Sequence, residues 1–205
     1  MRISDTFARV LSLPACYRFF RRSVGGGHVW RKYLEHYVKP ATGEKVLDVG
    51  CGPADALLHL PKVDYTGIDI SPEYIAAAKR RFDGRGRFLC HDVGSFILGS
   101  DEGSFDLVLA TGVVHHLDDE QADGLLTLAR RALRPHGRLV TFDGCYVTGQ
   151  SPIARWMLRM DRGRFVRTQR DYVRMVSPLF SKVELHLRHD LLRIPYTHLI
   201  MCCSN

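Results

Sequence analysis

The sequence predicts an α/β fold: a doubly wound, mostly parallel sheet with helices on both faces. Three observations carry that expectation. From residue 44 onward, short apolar runs alternate with helical stretches at the spacing of right-handed strand-helix-strand units. The first run, "KVLDV", ends in a tight glycine pair, "GCG". The last two runs are joined by "LLRIP", too short for a parallel crossover, so they should pair antiparallel.

Taken in order, the first helical face lies in "HVWRKYLEHYV" (28–38), where Val29, Trp30, Tyr33, Leu34, Tyr37 and Val38 fall on one side. Gly25–Gly27 read as a hinge between it and an earlier N-terminal helix. Strands follow at 45–49, 65–70, 87–93, 105–112 and 138–144, with helical stretches near 54–60, 72–82 and 119–134. The 72–82 helix has a clear start: Ser71 as N-cap, Pro72 in the first turn and Glu73 beside it. After 144 the alternation breaks, and "KVELHLRHD" (182–190) and "YTHLIMCCS" (196–204) form the antiparallel pair.

At 205 residues, with 45% hydrophobic and 25% charged residues, the chain reads as one globular domain. It divides into an N-terminal helical lid (1–39) and a core (40–205) with a basic substrate-side insert at about 145–180. No apolar run approaches the roughly 18 residues of a membrane span, and the N-terminus lacks the pattern of a signal peptide. The six cysteines show no C-x-x-C spacing and read as reduced thiols of a cytoplasmic protein. The net charge of +7 is concentrated in residues 151–193, which hold ten Lys and Arg against four Asp and Glu. That surplus suits either a solvated face or an anionic partner. Aromatics do not interleave with the basic residues, so no nucleic-acid partner is expected.

Gly50 and Gly52 match the start of a dinucleotide-binding turn, yet Asp55 stands where its third glycine belongs. A carboxylate in the first helical turn opposes a pyrophosphate. Asp48 adds a second acid at the strand end. The turn therefore favours a nucleoside ligand that lacks phosphates and carries positive charge.

Here the chain resembles the class I S-adenosylmethionine-dependent methyltransferases, in particular the small type 11 methyltransferase domain, over residues 44 to 144. "VLDVGCGPA" looks like the family's first motif, with Ala54 in place of its usual third glycine, a mild departure unless that backbone needs a positive φ. "GIDIS" places Asp69 where a carboxylate accepts the ribose hydroxyls, with Ile70 next to it. "CHDV" resembles the third motif, which implies that Asp92 accepts from the adenine amino group and Val93 offers its amide. "FDLVLATGVVHHLDD" looks like the fourth, placing the backbone groups of Ala110 and Thr111 at the methionine end. Gly50, Cys51 and Gly52 complete the expected cofactor contacts, with Asp48 towards the ammonium and Tyr17 and Arg31 reaching in from the lid. The resemblance implies a Rossmann-like seven-stranded sheet of order 3-2-1-4-5-7-6, its last strand antiparallel. It also implies S-adenosyl-L-methionine as cofactor and S-adenosyl-L-homocysteine as product.

An oxygen acceptor must lose its proton as it takes the methyl group. Some sugar methyltransferases resembling this chain carry a histidine at the second position of "HHL" and an Asp after strand five. That implies His116 as base with Asp143 as its partner, and a lesser role for His115. Asp118 and Asp119 read as caps of the next helix. No metal is expected, since the histidines show no ligand spacing. The leading expectation is O-methylation of a small-molecule or glycan-precursor acceptor, anionic or sugar- or lipid-linked because of the arginines in the insert. The alternatives are an N-methyltransferase, a non-catalytic binding protein of the same fold, and a nicotinamide-dependent oxidoreductase, which Asp55 opposes. The assembly expected is a monomer or homodimer.

Overall fold

The computed structural model describes residues 26–160 and 164–205. Helix α1 (Gly26–Tyr33) runs into one π-type turn (Leu34–Val38), closed by Lys39, whose amide donates to Leu34 O at 2.7 Å. Gly26 and Gly27 thus belong to the helix rather than to a hinge. The expected apolar face is real: Val29, Trp30, Tyr33, Leu34 and Val38 are buried.

The strands are β1 (Lys45–Val49), β2 (Asp64–Asp69), β3 (Arg87–Cys90), β4 (Phe105–Thr111), β5 (Leu133–Tyr146), β6 (Arg167–Thr168), β7 (Lys182–Arg188) and β8 (His198–Ser204). The sheet order is β3-β2-β1-β4-β5-β8-β7, with β8 antiparallel to both β5 and β7. This is the expected order with one addition. The two-residue β6 lies off the main path, parallel to the end of β5.

Helices α2 (Pro72–Arg81), α3 (Asp119–Ala132), α4 (Pro152–Met160) and α5 (Gln169–Val176) complete the layers. The caps follow the sequence: the Ser71 hydroxyl accepts from Tyr74 N, and Asp118 forms a reciprocal capping box with Gln121. Alternate residues of the central strands face opposite cores. Leu47, Val108 and Ala110 pack on α3 and α5, while Val46, Leu107 and Leu109 pack on α1 and α2. Both faces are apolar because both are covered, as parallel sheets require.

One expected helix is missing. After β1 the chain makes only a four-residue 3-10 turn, Asp55–Leu58. Pro61 and the start of β2 at Asp64 leave no room for more. Ala54, which precedes this turn, is fully buried at φ 58° and ψ 40°. The backbone there does need the left-handed region, where a Cβ costs roughly 1–2 kcal/mol.

Candidate active site

The carboxyl ends of the parallel strands and the start of β8 surround one cavity of about 1360 Å³. It lies where strand order reverses between β1 and β4, the place at which open α/β sheets bind ligands. Pockets for one small ligand span roughly 300–1,000 Å³, so this one has room for two molecules.

One half is built by the ends of β1, β2 and β3, where Asp48, Gly50, Cys51 and Gly52 line the wall with Asp69, Ile70, Asp92 and Val93. Gly50 has φ 69°, and a Cβ there would stand 2.3 Å from Val113 Cγ2, so only glycine fits. The Asp69 carboxylate accepts from Gly52 N and Ser71 N, each at 2.8 Å, which ties the glycine turn to the end of β2 and fixes the acid at the cavity. Asp92 caps a 3-10 turn through Gly94 N at 2.7 Å and also faces the cavity. Asp55 lines the cavity while pairing with Arg81 at 2.5 Å. With no long helix behind the glycine turn, there is no helix dipole to hold a pyrophosphate.

Asp48 is 3% exposed and accepts from the Tyr65 hydroxyl at 2.6 Å. Burial pushes its carboxyl up to about 7; the Tyr65 hydrogen bond opposes that shift and the Asp69 charge adds to it. The folded value lies above the unfolded one, so between about pH 4 and 7 the native state holds a proton that the unfolded chain has lost. Stability from this group is therefore complete at low pH and is lost as pH rises through about 7. Asp48→Asn is expected to stabilise the ligand-free protein at pH 8, by up to ~4 kcal/mol relative to its effect at pH 4. Urea unfolding across that range measures it, and a pH-independent difference would refute it.

The other half is built by β4, β5, β8 and the insert. Thr111, His115, His116 and Asp143 line it. The structure corrects the expected pairing. Asp143 Oδ1 meets His115 Nδ1 at 2.7 Å and the His115 amide at 3.2 Å, so Asp143 holds His115 rather than His116. Both members are buried, with side chains 8% and 1% exposed. His116 is exposed, its ring 4.3 Å from that of His115. The reason is the 3-10 turn Val114–His116, which directs consecutive side chains differently, so the second position leads to the mouth.

Ala110 lies in the core behind β4 and lines no part of the cavity. Arg31 is exposed, beside a small surface groove with Leu34 and His59, because Val29, Trp30 and Tyr33 take the inner face of α1. Tyr17 lies outside the described residues.

The turn carrying the histidines is held by the insert. Arg167, 9% exposed, donates to the carbonyls of Val114 (3.1 Å), Leu117 (2.9 Å) and Phe165 (3.0 Å), and to Asp119 Oδ1 at 2.7 Å. Phe165 N in turn donates to His115 O at 3.0 Å. Asp119, expected as a cap, is this ion-pair partner. The remaining described arginines of the insert (155, 159, 164, 170 and 174) are exposed, and none lines the cavity.

The sequence reading missed several of the wall residues. Trp30 and Tyr33 come from α1, Phe142 from β5, Leu192, Ile194 and Tyr196 from the β7–β8 link, and His198 from the start of β8. The signal for His198 was present. An antiparallel strand begins at the edge where its parallel neighbours end, so a histidine opening β8 must sit at the ligand edge. Its ring stacks on Phe142 with centroids 4.5 Å apart. Among the described residues, no group of three or more His, Cys, Asp or Glu is placed to hold a metal ion. Nor is any helix among them long and apolar enough to cross a membrane.

A Rossmann-like sheet of this order, with a cavity at its switch point, matches the fold of S-adenosylmethionine-dependent methyltransferases. Residues 46–137 match the model of a methyltransferase domain family, and the chain carries a domain of that family. Among curated relatives, it is 31% identical over 152 residues to the 27-O-demethylrifamycin SV methyltransferase of Amycolatopsis mediterranei, covering 71% of this chain and 53% of that one. It is 32% identical over 129 residues to the demethylmenaquinone methyltransferase of Thermus thermophilus, covering 59% and 56%. The chain spans about half, or less, of the length of the curated relatives it matches. A solved TehB-like S-adenosylmethionine-dependent methyltransferase from Corynebacterium glutamicum shares the fold, with TM-score 0.66 at 21% identity, covering 98% of this chain and 97% of that one.

Proposed function

We propose that this protein transfers a methyl group from S-adenosylmethionine to an oxygen of a small-molecule acceptor. The observation that carries the reading is the buried His115–Asp143 pair facing a two-ligand cavity. S-adenosylmethionine, when bound, supplies the electrophilic methyl group. The donor set suits it: carboxylates at the ends of β1 and β2 and in the loop after β3 (Asp48, Asp69, Asp92), and no Lys or Arg among the described lining residues. Asp69 would take the ribose hydroxyls, Asp92 and Val93 the adenine edge, and Asp48 the amino-acid ammonium.

Asp143 holds the proton on Nδ1 of His115, which leaves Nε2 as the basic nitrogen. His115 then takes the acceptor hydroxyl's proton, and the Asp143 carboxylate stabilises the imidazolium that forms. Phe142, next to Asp143 in β5, and Tyr33, whose ring packs 5.1 Å from that of Phe142, help keep water from the pair.

The aromatic, acid-containing wall also favours a second reading, N-methylation of an amine. A neutral amine needs no such base, so unimpaired amine turnover by His115→Ala would assign that reaction. The first test is calorimetric titration with S-adenosylhomocysteine and with NADH. S-adenosylhomocysteine is expected to bind in the micromolar range and NADH not at all; the reverse would overturn the reading.

A further inference from the structure

The insert's charge suggested an anionic acceptor, but the cavity opposes one. Its described lining contains Asp48, Asp55, Asp69, Asp92, Glu120 and Asp143, and no Lys or Arg. Four of those acids (Asp48, Asp55, Asp69 and Asp92) belong to the cofactor half, and Asp55 pairs with Arg81 and Asp143 with His115. What opposes an anionic acceptor is therefore an apolar wall with no Lys or Arg among the described lining residues to offset a buried negative charge. The insert's surplus instead lies on the outside, with Arg155 over the Tyr146 ring at 5.6 Å and Arg167 consumed by the histidine turn.

The wall of the acceptor half is apolar and aromatic. Helix α4 buries Ala154 and Leu158 and turns Trp156, Met157 and Met160 towards the cavity. Trp156 and Met160 are 58% and 47% exposed, so they form the rim rather than the floor. Leu192, Ile194 and Tyr196 of the β7–β8 link also line the cavity. Large apolar side chains left half-exposed around a cavity mouth mark a binding surface. Methionines adapt to the shape of what they hold.

We infer that the acceptor is an uncharged, largely apolar hydroxylated molecule whose body packs between the α4 rim (Trp156, Met160) and the β7–β8 link (Ile194, Tyr196), with its hydroxyl at His115. This assigns substrate class and rests on the methyltransferase reading above. An acidic analogue would bury its carboxylate against this wall with no Lys or Arg among the described lining residues, while bulk is accepted through the open apolar rim.

The probes are 2-naphthol and its carboxylate analogue 3-hydroxy-2-naphthoate, each titrated calorimetrically into the protein saturated with S-adenosylhomocysteine. 2-Naphthol is expected to bind at least ~10-fold more tightly than the carboxylate. Trp156→Ala should weaken 2-naphthol by about 10-fold, since Trp156 supplies a ring face, while S-adenosylhomocysteine affinity stays within about twofold. Trp156→Arg should narrow the gap by drawing in the carboxylate. Equal or tighter binding of 3-hydroxy-2-naphthoate, no binding of 2-naphthol, or indifference to Trp156→Ala would each overturn the inference. If S-adenosylhomocysteine itself fails to bind, the methyltransferase reading falls instead, so the two failures are separable.

Discussion

Replacing His115 with alanine is expected to lower turnover of a hydroxylated acceptor at least ~100-fold while S-adenosylhomocysteine affinity stays within about twofold. The magnitude is the low end for loss of a positioned general base. The geometry behind it is the 2.7 Å contact of His115 Nδ1 with a buried Asp143. His116→Ala should cost less than ~10-fold, because that ring lies on the exposed side of the turn and Asp143 meets His115 instead. Asp143→Asn should resemble His115→Ala. An amide there can offer its N–H to Nδ1 and select the tautomer with the proton on Nε2. Methyl transfer to 2-naphthol, followed by mass shift, separates the three variants. If His116→Ala is the damaging change and His115→Ala is not, the assignment of the base is wrong.

Arg167→Ala is expected to destabilise the protein by roughly 3 kcal/mol, because it strips three carbonyls and a carboxylate of one shared donor group. Asp119 is solvent-exposed and will rehydrate, so the loss comes chiefly from the carbonyls of Val114, Leu117 and Phe165. Arg167→Lys should recover only part of it, since one ammonium cannot span a fork of four acceptors. Two of those carbonyls flank the histidines. Turnover in Arg167→Lys should therefore fall more than KM rises. Urea unfolding read alongside steady-state kinetics checks both parts. A change in unfolding free energy below about 0.5 kcal/mol would show that the clamp carries no weight.

Arg167 also shows how far the sequence could be read. In the chain it is one of seven arginines in a basic insert, and their shared charge suggested an anionic substrate. Only the pairing of β6 with the end of β5 brings Arg167 under the histidine turn and leaves the described others outside. The "HHL" pair is a similar case. Its place after β4 was legible, but which ring meets Asp143 depends on the local 3-10 turn. Ala54 was recognised as a departure from glycine, while its positive φ was visible only in the backbone.

The strand order was implied by the family resemblance; the sequence by itself determined the strand-helix alternation, the antiparallel closing pair, the caps at Ser71 and Asp118 and the acids at the ends of β1 and β2 and after β3. These follow from local periodicity, turn chemistry and link length, which act over a few residues. The tertiary structure alone decided the rest. It paired Asp143 with His115 rather than His116, brought α1, α4 and the β7–β8 link to one cavity, and turned the insert's described arginines away from it. Those outcomes depend on contacts between side chains 28 to 53 residues apart or more, and no local pattern records which distant surface a side chain will meet.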